Sequence, residues 1–155
     1  MGHFKENSIH CTDSWKESAQ YPEVTVNHNG ETFVVWQKYL DHEEEIVFAK
    51  IQDKKVVDPT VISGKGLALR PSMHTFNNIV YIAWSEFYDE EWHLCVREYA
   101  HGAFGQTKIV ERGQALFYPT MKDDGKNPVV VYNRQGVGFS EVVLSFRNLQ
   151  RIAFG

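Results

Sequence analysis

Apolar residues along this chain fall in short clusters separated by Gly, Asn, Asp and Pro. Phe33-Val34-Val35-Trp36, Tyr81-Ile82-Ala83-Trp84 and Val129-Val130-Val131-Tyr132 are near-continuous apolar runs, as expected of strands covered on both faces. The same order of features surrounds each run. A Pro-centred segment precedes it: Tyr21-Pro22, Arg70-Pro71 or Tyr118-Pro119. Between the two lies a turn, Asn27-His28-Asn29-Gly30, Thr75-Phe76-Asn77-Asn78 or Asp123-Asp124-Gly125-Lys126. These are hairpin signals, since Gly and Asn tolerate positive φ. The pattern predicts a first strand starting at the Pro (about 23–27 in the first copy) and a second at about 32–37. A third follows at about 45–51, 92–99 and 141–147, and a fourth at about 57–63 and 107–111. No segment sustains a helical period.

The spacing turns these strands into a repeat. The prolines stand 49 and 48 residues apart, and Trp36, Trp84 and Tyr132 are separated by 48 each time. Ile46, Leu94 and Val142 share that spacing, as do Phe48, Val96 and Leu144. Four strands recurring at this period predict an all-β fold, a β-propeller with three four-stranded antiparallel blades per chain. The repeats cover about 21–63, 70–111 and 118–155, making 1–155 a single unit. A β-sandwich and an open solenoid are the alternatives, and the uniform period disfavours the sandwich.

A ring needs about four to eight blades. In the second repeat Ala103-Phe104-Gly105 leads into a fourth strand, whereas the third repeat stops at Ala153-Phe154-Gly155. The third blade is therefore expected to lack its fourth strand, and residues 6–11 read as a spare one. The expectation is a six-bladed ring: a homodimer joined head to tail, each N-terminal strand completing the partner's third blade. The rival is that the chain is half of a longer polypeptide.

Composition removes several functions. Net charge is −4 and the pI about 6.0, whereas a nucleic-acid partner calls for a basic surface. No apolar run approaches the roughly 20 residues of a membrane span, and the start shows no signal-peptide core. A cytoplasmic location is the default expectation. Cys11 and Cys95 do not make a disulfide framework. The seven histidines show no ligand spacing, so no metal is expected. With no phosphate-cradling Gly loop, no cofactor is expected either.

The candidate chemistry lies in the connections before each Pro (about 10–21, 64–70 and 112–118) and after each second strand (about 37–44, 85–91 and 133–139). These are expected on one face, around the central opening. They bring Tyr21, Arg70 and Tyr118 to the inner rim, with Trp15, Tyr39, Glu86, Tyr88 and Arg134 nearby. Aromatic faces beside Arg and Glu suit sugars, whose CH faces pack on rings while their hydroxyls take directed hydrogen bonds. Glu43-Glu44-Glu45 and Asp89-Glu90-Glu91 read as solvated loop carboxylates.

The Pro-x-Val/Met start, the Gly/Asn turn, Val-Val-Trp or Ile-Ala-Trp-Ser, and then Ile-Val-Phe-Ala or Leu-Cys-Val-Arg together resemble the sialidase-like, Asp-box propellers. Of the box, Asp53 alone is retained within Lys50-Ile51-Gln52-Asp53-Lys54-Lys55-Val56-Val57. The resemblance implies a propeller. For a sialidase it implies an arginine triad for the substrate carboxylate, a Tyr/Glu nucleophile pair and an Asp acid/base. Arg70, Arg97 and Arg134 are available for a triad, but no motif assigns them. The leading expectation is a ligand-binding, lectin-like module recognising carbohydrate. The alternatives are a sialidase-like glycoside hydrolase using Arg70, Arg134 and Glu86, and a protein-interaction scaffold.

Overall fold

The computed structural model describes the backbone of residues 18–146 and 151–154 and the side chains of residues 18–138. Every regular element among them is a β-strand. Strands β1 (Ser18–Val26), β2 (Thr32–Leu40), β3 (Glu43–Gln52) and β4 (Lys55–Val61) form one antiparallel sheet in chain order. The second sheet holds β5 (Leu67–Phe76), β6 (Ile79–Tyr88), β7 (Glu91–Ala100) and the two-residue β8 (Ala103–Phe104), with β9 (Lys108–Gly113) also on β7. The third is β10 (Ala115–Asp123), β11 (Pro128–Gly136), β12 (Phe139–Phe146) and β13 (Arg151–Phe154).

The strands are longer, and their connections tighter, than the apolar clusters predict. The chain passes from β2 to β3 through Asp41-His42 and from β6 to β7 through Asp89-Glu90. All four turn residues have φ between 50° and 70°, the left-handed pair that a two-residue hairpin matched to strand twist requires. The expected loop at 37–44 is therefore mostly ladder. Asp53-Lys54, at the place of the Asp box, is the same kind of turn. The one-residue difference between the first two repeats lies in the first hairpin: five residues separate the paired Val26 and Thr32, against four between Thr75 and Val80.

The expectation that the third sheet lacks its fourth strand is corrected. Strand β13 pairs with β12 from Val142↔Phe154 to Ser145↔Arg151. In the second sheet, Leu94 to Val96 at the corresponding positions pair with β9. An open sheet edge offers unpaired N–H and C=O groups, and here the C-terminal residues occupy it. The proposed N-terminal strand, 6–11, lies outside the described residues.

The sheets stack face to face. Phe33, Val35, Ile46, Phe48 and Ile62 of the first pack on Met73, Ile82, Trp84 and Cys95 of the second. Tyr81, Ala83 and Leu94 on the second sheet's other face meet Leu116, Met121, Val130 and Tyr132 of the third. Side chains alternate across a strand, so β6, apolar from Ile79 to Trp84, serves two interfaces at once. Polar pairs fix the stacking: Thr25 Oγ1 to Thr75 Oγ1 at 2.8 Å and, at the equivalent place one blade on, His74 Nε2 to Asp123 Oδ2 at 2.6 Å, with the Met121 N–H donating to Ser72 Oγ at 2.9 Å. The result is an open arc of three blades.

Candidate functional site

Each blade's first strand carries a bulge at its proline. The register slips between Gln20 and Glu23, between Leu69 and Ser72, and between Phe117 and Thr120. The residue before each Pro takes left-handed backbone: Tyr21 at φ 52°, Arg70 at 51° and Tyr118 at 54°. A non-glycine residue there costs about 1–2 kcal/mol, and a following Pro narrows the choice further. Pro has no N–H to lose from the ladder, which makes the bulge tolerable, and a bulge re-aims the side chains beside it.

The three re-aimed side chains converge. The Arg70 guanidinium carbon lies 4.4 Å from the Tyr21 ring centre and 4.6 Å from that of Tyr118. Each such cation–π contact is worth roughly 0.5–2 kcal/mol. The tyrosines are 43% and 51% exposed, and Arg70 is exposed as well. From the first blade, buried Gln37 accepts the Arg70 backbone N–H on its Oε1 at 2.8 Å, while its Nε2 donates to Glu44 at 3.1 Å. Burial pushes the Glu44 carboxyl up from its ordinary value.

Beside this stack is an open depression of about 140 Å³, lined by Leu69, Arg70 and Ser85 of the second blade and Phe117 and Tyr118 of the third. Ser85 is 1% exposed, and its hydroxyl has no hydrogen-bond partner. Sequence reasoning missed Ser85, Leu69 and Phe117. The available signal was strand parity: Ser85 shares a face with Ala83, which packs toward the third blade.

Parity also corrects the role expected of Glu86. It is 3% exposed and points to the face opposite Ser85. Its Oε2 accepts from Trp84 Nε1 at 2.8 Å, and its Oε1 from the Gly66 N–H at 3.2 Å. It is an internal acceptor that ties down the 64–66 connection. Burial first, and the Glu86 charge second, push the neighbouring Cys95 thiol up to about 12. Arg134 holds the repeat position of Glu86 and likewise stays out of the depression. Its Nη1 donates to the buried Glu111 at 2.9 Å, and the Tyr132 hydroxyl donates to the other oxygen of that carboxylate.

The remaining candidates are dispersed. Tyr39 reaches His42 Nδ1 at 3.2 Å. Tyr88 stacks on His93 with ring centres 3.6 Å apart, and burial raises its hydroxyl pKa. Trp15 lies outside the described residues. Of the acidic runs, Glu45 pairs with Lys38 at 2.8 Å, and Asp89-Glu90 is a turn. Among the described residues no three His, Cys, Asp or Glu side chains converge as metal ligands would.

Three stacked antiparallel blades with a bulged inner strand define a propeller-like arc. Comparison with solved structures gives the same fold. The chain is similar to an exo-1,5-α-L-arabinanase from a bovine ruminal metagenomic library, at TM-score 0.56 and 10% identity over 90% of this chain and 58% of that one. It is similar to a mannose phosphorylase from Leishmania mexicana, at TM-score 0.56 and 10% identity over 91% and 46%. It is also similar to an endo-arabinase from Bacteroides thetaiotaomicron, at TM-score 0.54 and 12% identity over 85% and 57%. The chain thus spans about half the length of the structures it matches. No family model matches it, and no curated protein matches its sequence.

Proposed function

We propose that this chain is a carbohydrate-binding propeller unit whose ligand sits in the depression between the second and third blades. The observation that carries the reading is the Tyr21–Arg70–Tyr118 stack, held on strained backbone beside the unpartnered Ser85 hydroxyl. Exposed aromatic faces take the CH face of a sugar, while Arg70 and Ser85 supply directed donors. Left-handed backbone repeated at three non-glycine positions marks a place where structure is held for use. The likeness in fold to arabinan- and mannose-processing enzymes supports the same ligand class.

Binding is favoured over hydrolysis. A glycosidase places two carboxyls about 5–10 Å apart across the bond it cuts. No carboxylate is among the residues lining the depression, and Glu86 and Glu111 are engaged elsewhere. Calorimetry with arabino- and manno-oligosaccharides tests the proposal. Tyr118→Ala is expected to weaken binding by about 1–3 kcal/mol, the worth of one stacked aromatic anchor. Absence of binding to any oligosaccharide at millimolar concentration removes it. We further propose that the arc pairs head to tail with a second copy of itself.

A further inference from the structure

We infer that the depression selects saccharides carrying an oxyanion, a carboxylate or a phosphate ester, with Arg70 as the counter-charge. The inference rests on the carbohydrate reading above and sharpens it. The Arg70 guanidinium is flanked by Tyr21 and Tyr118. Rings over a guanidinium occupy its faces and leave the N–H donors in its plane. Arg97, Arg134 and Lys38, by contrast, each already hold an oxygen: Arg97 the Gly105 and Ile62 carbonyls, Arg134 the Glu111 carboxylate, Lys38 the Glu45 carboxylate. Among the described residues, Arg70 has ring contacts through its guanidinium and no carboxylate partner.

Three further features suit an anion. The depression is lined by Leu69, Arg70, Ser85, Phe117 and Tyr118, so no lining carboxylate competes for the charge. Ser85, whose buried hydroxyl lacks a partner, is among the residues lining the same space, so a turn of that hydroxyl offers a donor to an oxyanion. Gln37 clamps the Arg70 backbone, so the cation is positioned before a ligand arrives.

Calorimetry on the full chain, with matched pairs of probes, tests this. One pair is a galacturonate trisaccharide and its neutral galactose counterpart; the other is glucose 6-phosphate and glucose. The expected result is that the charged member of at least one pair binds about tenfold tighter or more, as one charge-assisted contact supplies. Which pair responds identifies the oxyanion. The preference is expected to shrink with added NaCl, and to collapse in Arg70→Lys, which keeps the charge and loses the fork. Ser85→Ala, which removes a hydroxyl that bonds nothing in the fold, is expected to weaken the charged probe severalfold without lowering the melting temperature. It carries the test if Arg70→Lys fails to fold. Equal affinity within both pairs overturns the oxyanion inference while leaving the carbohydrate reading intact. Binding of inorganic phosphate or acetate, lost in Ser85→Ala, with no saccharide bound, overturns the carbohydrate reading instead. A charged-probe preference unchanged in both variants also overturns the inference, since the selectivity then lies elsewhere.

Discussion

Glu86 and Gly66 show how single residues hold the candidate site in place. The buried Glu86 carboxylate takes the Gly66 N–H, and a Cβ built on Gly66 would stand 2.4 Å from the Phe87 carbonyl oxygen. That neighbour is backbone and cannot swing aside. Gly66→Ala is therefore expected to destabilise the fold by about 1–3 kcal/mol, as forced overpacking does, in urea unfolding followed by tryptophan fluorescence. A wild-type midpoint in this variant would show that the connection yields freely. The same residues mark how far the sequence is legible. Tyr21, Arg70 and Tyr118 were readable because each precedes a repeat-equivalent proline, a position that parity and period fix together. Glu86 is not legible as a buried acceptor because the apolar run ends at Trp84, and the sequence puts a connection at about 85–91. The strand instead continues to Tyr88, where the two-residue turn Asp89-Glu90 begins, so Glu86 faces the blade interface with Trp84. Composition does not reveal that Asp-Glu and Asp-His will adopt positive φ.

At the scale of elements, strands β5 and β10 are joined by an ion pair that should respond to acid. Asp123 accepts from His74 through Oδ2 and from the Gly125 N–H through Oδ1. Those bonds, the one from His74 most of all, hold its carboxyl below the ordinary aspartate value of 3.8. A carboxyl whose pKa is depressed on folding binds its proton more readily in the unfolded chain, so acid favours unfolding. Its contribution is fully present above the unfolded value and is lost as pH falls through the folded one. Melting temperatures of wild type and Asp123→Asn between pH 6 and pH 2 are expected to differ most at the upper end and to converge as pH falls below about 4. A constant difference across that range would mean that the charge on Asp123 does not couple the blades. Such pairs were only partly legible. Period aligns Thr25 with His74 and Thr75 with Asp123, but it does not say that each touches the next blade one residue out of step, because that depends on which way each blade faces.

Among the described residues the blades form an arc in which nothing packs on the first blade's outer face as the first blade packs on the second and the second on the third. Met73 and Met121, at the repeat position of Val24, are 4% and 3% exposed against the preceding blade, whereas Val24 itself is 65% exposed. Val26 and Val61 are exposed too. The indole of Trp36 is buried with no acceptor for its Nε1. At the same position Trp84 donates to Glu86 and Tyr132 donates to Glu111. Lys38 stands where Glu86 would be and pairs with Glu45, so the first blade has no acceptor of its own at that place. The chain also carries what covers such a face elsewhere in the arc. Val131, only partly buried, holds the repeat position of Ala83, which packs against the third blade. Head-to-tail docking of two copies would set one copy's third blade on the other's first blade. It would also bring a second Tyr21–Arg70–Tyr118 stack to the same rim. With the fourth place of the third sheet taken by β13, the contact is expected between blade faces rather than through an exchanged strand. An apolar contact of this kind gains about 25 cal/mol per Å² buried and is lost when a charge must be buried without a partner. Size exclusion with light scattering at micromolar concentration is expected to give twice the 17.9 kDa chain mass. Val24→Asp is expected to give the single chain, with its strand content by circular dichroism unchanged. A wild-type chain that stays monomeric under those conditions removes the second copy as the partner of this face.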